Sequence, residues 1–70
     1  MSVSAEEIRK MSPEERLKLL NELRMELLKL RTQAQLGVLK NVARIKIVKK
    51  NIARILTVMR EEELKARVRK

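Results

Sequence analysis

The chain has 70 residues and a net charge of +9, with 18 Lys plus Arg against 9 Asp plus Glu, and it contains no Cys, His, Phe, Tyr or Trp. This composition excludes disulfides, the usual His/Cys zinc or iron sites, and base stacking on aromatic rings. Leu, Ile, Val, Met and Ala supply all of its 44% apolar content, and a chain of this size buries too little surface to be firmly stable without a partner.

Ser4-Ala5-Glu6-Glu7 fits a capping box, a hydroxyl followed three residues later by a carboxylate. It predicts a short helix over residues 5–10, anchored by Ile8 and Met11. Ser12-Pro13-Glu14-Glu15 is a second start signal: Ser12 accepts from a first-turn amide, Pro13 sits where no donor is needed, and the two acids face the positive helix end.

The helix that follows is expected over residues 13–35. Leu20, Leu23, Leu27, Leu30 and Ala34 recur at the three-four spacing of a coiled-coil seam, with Leu17, Leu19 and Leu28 widening it. No glycine interrupts it and helix-favouring residues dominate. Gly37, the one glycine, falls where the seam ends and suits a left-handed C-terminal closure. Residues 36–41 then form a turn, with Asn41 placed to cap the next helix.

A second long helix is expected over residues 42–63, with a frayed basic tail over 64–70. Ile45, Val48, Ile52, Ile55 and Met59 form its apolar stripe. Lys40, Arg44, Lys46, Lys50 and Arg54 spread over the other half of the wheel, and Ile47 and Val58 fall on that outward side too. Glu61 faces Lys65, and Glu63 faces Arg67, at helical spacing. The two stripes predict an all-α fold, an antiparallel two-helix hairpin with a short N-terminal helical turn. Its core would be Leu20, Leu23, Leu27 and Leu30 against Ile45, Val48, Ile52, Ile55 and Met59.

Charge is distributed unevenly. Residues 1–26 carry six acids and five bases, residues 27–60 nine bases and no acid, and residues 61–70 three acids and four bases. A solubilising surface mixes its signs; a 34-residue block without a carboxylate is the footprint of a polyanion-binding protein. Lys46, Lys49, Lys50 and Arg54 are the candidate phosphate contacts, with Lys40 and Arg44 in the same block. Arg31, Gln33 and Asn41 gather at the turn, where Arg can hold a phosphate and the amides can reach base edges or 2′-hydroxyls. Ile47 and Val58 are candidates for contact with RNA sugars or a neighbouring protein.

Catalysis has no support. There is no His or Cys and no Gly-rich phosphate loop, and capping accounts for the carboxylates at helix ends. No enzyme activity, cofactor or metal is expected. The chain does not open on a basic stretch followed by an apolar run, and no apolar run nears the roughly 20 residues of a bilayer span. The expectation is a cytoplasmic chain without membrane insertion. The competing reading is a self-associating coiled-coil module built on the same seams. A membrane-surface helix is weaker, since Trp and Phe anchors are missing.

Leu30-Arg31-Thr32-Gln33, then Gly37, Leu39 and Asn41, then Ile45-Lys46, Val48-Lys49-Lys50, Ile52-Ala53-Arg54-Ile55 and Thr57 resemble the large-subunit ribosomal protein L-twenty-nine family (L-thirty-five in eukaryotes), the archaeal form above all. The resemblance takes in the Glu7-to-Pro13 opening and so nearly the whole chain; it departs from bacterial members at Gln35 and Lys40. It implies a helical hairpin on large-subunit ribosomal RNA near the exit of the nascent-peptide tunnel. A protein of the L-twenty-three family would be its neighbour, and nascent-chain factors would land nearby.

Overall fold

The computed structural model describes residues 3–68. Within them lie three helices, α1 (Ala5–Lys10), α2 (Pro13–Gln35) and α3 (Ala43–Val68), and no strand. α2 and α3 pack as an antiparallel hairpin 52 Å long and 16 Å across, with α1 folded onto α3. Two ion pairs mark the direction: Arg44 meets Glu26 toward the turn, at 2.8 Å, and Arg16 meets Glu62 toward the open end, at 3.3 Å.

The helix starts follow the capping chemistry of the sequence. The Ser4 hydroxyl accepts from the Glu7 amide. Ser12 and Glu15 complete a reciprocal box, Ser12 Oγ accepting from Glu15 N–H while the Glu15 carboxylate accepts from Ser12 N–H at 3.0 Å. The bond from the Ser12 amide, and after it the Ser12 side chain, hold the Glu15 carboxyl below the usual glutamate range. At the far end of α2, Gly37 takes φ +76°, and Val38 N–H and Gly37 N–H donate back to the Gln33 and Ala34 carbonyls. This pairing closes the last turn and satisfies two otherwise orphaned acceptors.

Leu20, Leu23, Val48 and Ile55 are buried, while Leu27, Leu30, Ile52 and Met59 are partly buried against them. Ile45 is half-buried. Ala34 is exposed, so the α2 seam ends at Leu30, and Leu17 and Leu28 turn to solvent rather than widening it.

The larger correction concerns Ile47 and Val58. Val58 is only 1% exposed and belongs to the core, and Ile47 is half-buried. The wheel reading left both outside because a two-helix hairpin covers one side of α3. Here the N-terminal segment covers a second side: Ile8 is fully buried in the same cluster, with Val3 and Ala5 packed against it. The buried arc of α3 therefore runs from Arg54 through Val58, Asn51, Ile55 and Val48 to Ile52. That is about 160° at the helical 100° per residue, displaced toward α1 from the single seam.

Two polar devices fasten that segment. Asn51, buried within α3, accepts from Val3 N–H, and Arg54 donates to the Val3 carbonyl. Arg16, also buried, donates to the Ile8 and Arg9 carbonyls at 2.9 Å each, capping α1 from the side, and reaches Glu62. Arg9 adds an exposed pair with Glu61. Glu61 and Glu62 thus serve α1 and α2 rather than Lys65, while Glu63 does pair with Arg67 at 2.9 Å. α3 starts at Ala43 instead of residue 42 and continues to Val68, past residue 63. Its last turn carries Lys65 and Arg67, which oppose the negative helix end. Arg69 and Lys70 of the expected tail lie outside the described residues.

Candidate nucleic-acid interface

With one arc of α3 given to α2 and α1, the rest faces outward. Lys49, Arg60, Lys46 and Lys50 fall within about 100° of each other on this face, interleaved with Ala53, Leu56 and Thr57, and all are exposed. None of the four cations enters an ion pair among the described residues. They lie along roughly 21 Å of helix, from the 1.5 Å rise over the interval from Lys46 to Arg60. The result is a row of cations along one exposed helix face, an arrangement that can approach a run of phosphates. Arg60 belongs to this face although the spacing of the lysines alone did not single it out; its signal was its place on the wheel beside Lys46 and Lys49.

The other candidates divide into two groups. Arg44 is half-buried and held by Glu26 across the hairpin, and the hydrogen bond to that carboxylate, followed by its charge, raises the guanidinium pKa further above its already high value. Arg54 is half-buried on the Val3 carbonyl. Both make intramolecular contacts that tie α3 to the rest of the fold. At the hairpin tip, Arg31, Lys40 and Asn41 are exposed and Gln33 half-buried. Asn41 Oδ1 accepts from the Ala43 amide at 3.1 Å, which fixes the side chain at the start of α3 and leaves its NH2 group to donate outward. α3 opens without an acidic residue in its first turn, so the positive end of its dipole adds to the tip cations.

The outer side of α2 has a different character. Leu17, Met25 and Leu28 are exposed along it, and Met25, Leu28, Lys29, Thr32 and Gln33 line a shallow open groove. Among the described residues no group of acids could hold a metal ion, and no helix is long and apolar enough to cross a membrane.

The model of the family described as Ribosomal L29 protein matches residues 6–61. The chain belongs to the uL29 family. That match takes in nearly all of α1, the whole of α2 and α3 as far as Glu61. Among uL29 relatives, the large ribosomal subunit protein uL29 of Staphylothermus marinus is 68% identical over 59 residues, covering 84% of this chain and 88% of the relative. That of Saccharolobus solfataricus is 52% identical over 63 residues, covering 90% and 86%. That of Clostridium acetobutylicum is 53% identical over 64 residues, covering 91% and 96%. The first two are archaeal, in keeping with the resemblance. uL29 is a family of structural ribosomal proteins and not of enzymes.

Proposed function

We propose that the chain is a structural constituent of the large ribosomal subunit that binds large-subunit ribosomal RNA through the outward face of α3. The observation that carries this reading is the row of Lys46, Lys49 and Lys50, exposed and in no ion pair among the described residues, in a block with no carboxylate from residue 27 to 60. Membership of the uL29 family and the large-subunit names of its relatives support it. Lysines on a straight helix present point charges without a fixed donor fork, so the face reads phosphate position and helical shape rather than sequence. Arg31, Gln33, Lys40 and Asn41 extend the contact to the tip; Arg44 and Arg54 serve it by orienting α3.

Its site in this reading is near the mouth of the nascent-peptide tunnel, beside a protein of the L-twenty-three family; membership of the uL29 family supports it. The exposed Leu17, Met25 and Leu28 of α2 supply a surface for that neighbour, on a helix separate from the lysine row. The chain acts in this reading as a two-sided piece, RNA on α3 and protein on α2, at a rim where factors receiving nascent chains also land.

Binding to naked large-subunit ribosomal RNA across salt tests the central claim. Each phosphate contact contributes about 0.7–0.9 to the slope of log affinity against log salt. Replacing Lys46, Lys49 and Lys50 together by Ala should lower the slope by about 2–3 on that scale. A slope equal to that of the unaltered chain would remove the lysine row from the interface. The apolar α2 face also favours a second reading, self-association, and sedimentation of the free chain separates the two: a stable dimer indifferent to added RNA would support the coiled-coil module instead.

A further inference from the structure

We propose that the hairpin tip is a second RNA contact of a different kind, an aliphatic crest that packs against an unstacked nucleotide of a loop or bulge; this rests on the ribosomal-RNA reading above. Leu36, Val38 and Val42 are 72%, 62% and 61% exposed at one end of the molecule. Single exposed aliphatics need no explanation. Three within seven residues, at the bend between α2 and α3 of a chain that buries Val48, Val58 and Ile55 almost completely, form a local feature.

Their exposure is built in. The left-handed Gly37 and the paired bonds from Gly37 and Val38 to the last turn of α2 fix the backbone of the bend. Asn41 fixes the start of α3. These bonds anchor both ends of the bend, and in that geometry the three side chains face solvent.

The surrounding charge selects the occupant. Exposed Lys40 lies between Val38 and Val42 in the bend, exposed Arg31 lies near the end of α2, the first turn of α3 has no acid, and the nearest carboxylate in sequence, Glu26, is taken by Arg44. A protein surface would have to be both apolar and strongly acidic to fit. RNA offers both properties at once, phosphates for the collar and base or ribose faces for the crest. In A-form duplex the bases are stacked and the major groove is too narrow for side chains, so base faces are open to the crest only where a nucleotide is splayed out. The outward Asn41 NH2 group supplies a donor for a base edge or a 2′-hydroxyl beside it. The division of labour is then continuous duplex backbone on the lysine row and an unpaired nucleotide at the tip.

The sequence has no cysteine, so a single introduced thiol can carry a tethered iron chelate for hydroxyl-radical cleavage. Val38→Cys and Lys49→Cys, each so labelled in the full chain, are bound to naked large-subunit ribosomal RNA. The expected result is cleavage from position 38 centred on loop or bulge nucleotides, and cleavage from position 49 along paired backbone. In parallel, replacing Leu36, Val38 and Val42 by Ser should weaken binding about tenfold or more without changing the salt slope; helicity of the exposed-site variant, checked by circular dichroism, should match the parent. Cleavage from 38 within continuous duplex, or unchanged affinity of the triple variant, overturns the proposal while leaving the lysine row intact. Absence of cleavage from both positions overturns the underlying ribosomal-RNA reading along with it.

Discussion

Arg54 and Lys50 sit four residues apart on one helix and do opposite things. Lys50 is exposed and unpaired among the described residues; Arg54 is half-buried and donates to the Val3 carbonyl while Asn51 accepts from the Val3 amide. A charged donor to a buried-side carbonyl contributes to stability, on the order of 1–2 kcal/mol when partly exposed. Arg54→Ala should therefore lower the unfolding free energy by about that amount, read by urea titration, while leaving the salt slope of RNA binding unchanged. Loss of slope without loss of stability would return Arg54 to the phosphate contacts. Glu15 carries a pH signature of its own. Its folded-state pKa is lowered chiefly by the backbone hydrogen bond from Ser12 and further by the Ser12 side chain. Its contribution is full above the ordinary glutamate value of about 4.3 and disappears as the pH falls through the lowered folded value. Comparing the parent with Glu15→Gln, which keeps the capping geometry without titrating, should show a stability difference that changes only in that acidic window. A difference constant from pH 7 to pH 2 would contradict it.

α1 is six residues long and would not persist as an isolated helix. What holds it is Ile8, buried against the hairpin, the Arg16 guanidinium on its final carbonyls, and the Val3 backbone gripped by α3. In return it joins the cluster that keeps Val58 from water. Ile8→Ala removes the one fully buried side chain of α1 and should cost about 2–4 kcal/mol, a large part of the stability of a domain this small. Thermal unfolding followed at 222 nm checks the loss. A cost below about 0.5 kcal/mol, the range of ordinary surface changes, would mean that α1 is only loosely attached.

At the scale of the whole molecule, one rod carries three surfaces. α3 gives a cationic row, α2 an apolar outer side, and the bend an aliphatic crest within a cationic collar. Only a slim core joins them, so RNA that binds the folded hairpin alone should raise its stability, by about 2.7 kcal/mol at a hundredfold excess over Kd. Calorimetry of the chain with and without large-subunit ribosomal RNA measures this, and an unchanged melting temperature would count against a folded-state complex. The sequence by itself determined the two long helices, because their three-four apolar spacing, Ser12-Pro13 start and Gly37 stop act within a few residues of chain. It also determined the polyanion-binding character, since the absence of acids from residue 27 to 60 is a property of composition alone. Which cations stay free was decided by tertiary structure. Arg44 and Arg54 look like Lys46 and Lys50 along the chain, yet Glu26 and the Val3 carbonyl reach them from 18 and 51 residues away. The same holds for Val58, outward on a two-helix wheel and buried once a third segment packs on α3. Helical periodicity records that a residue is apolar and where it points, but not how many neighbours arrive to cover it.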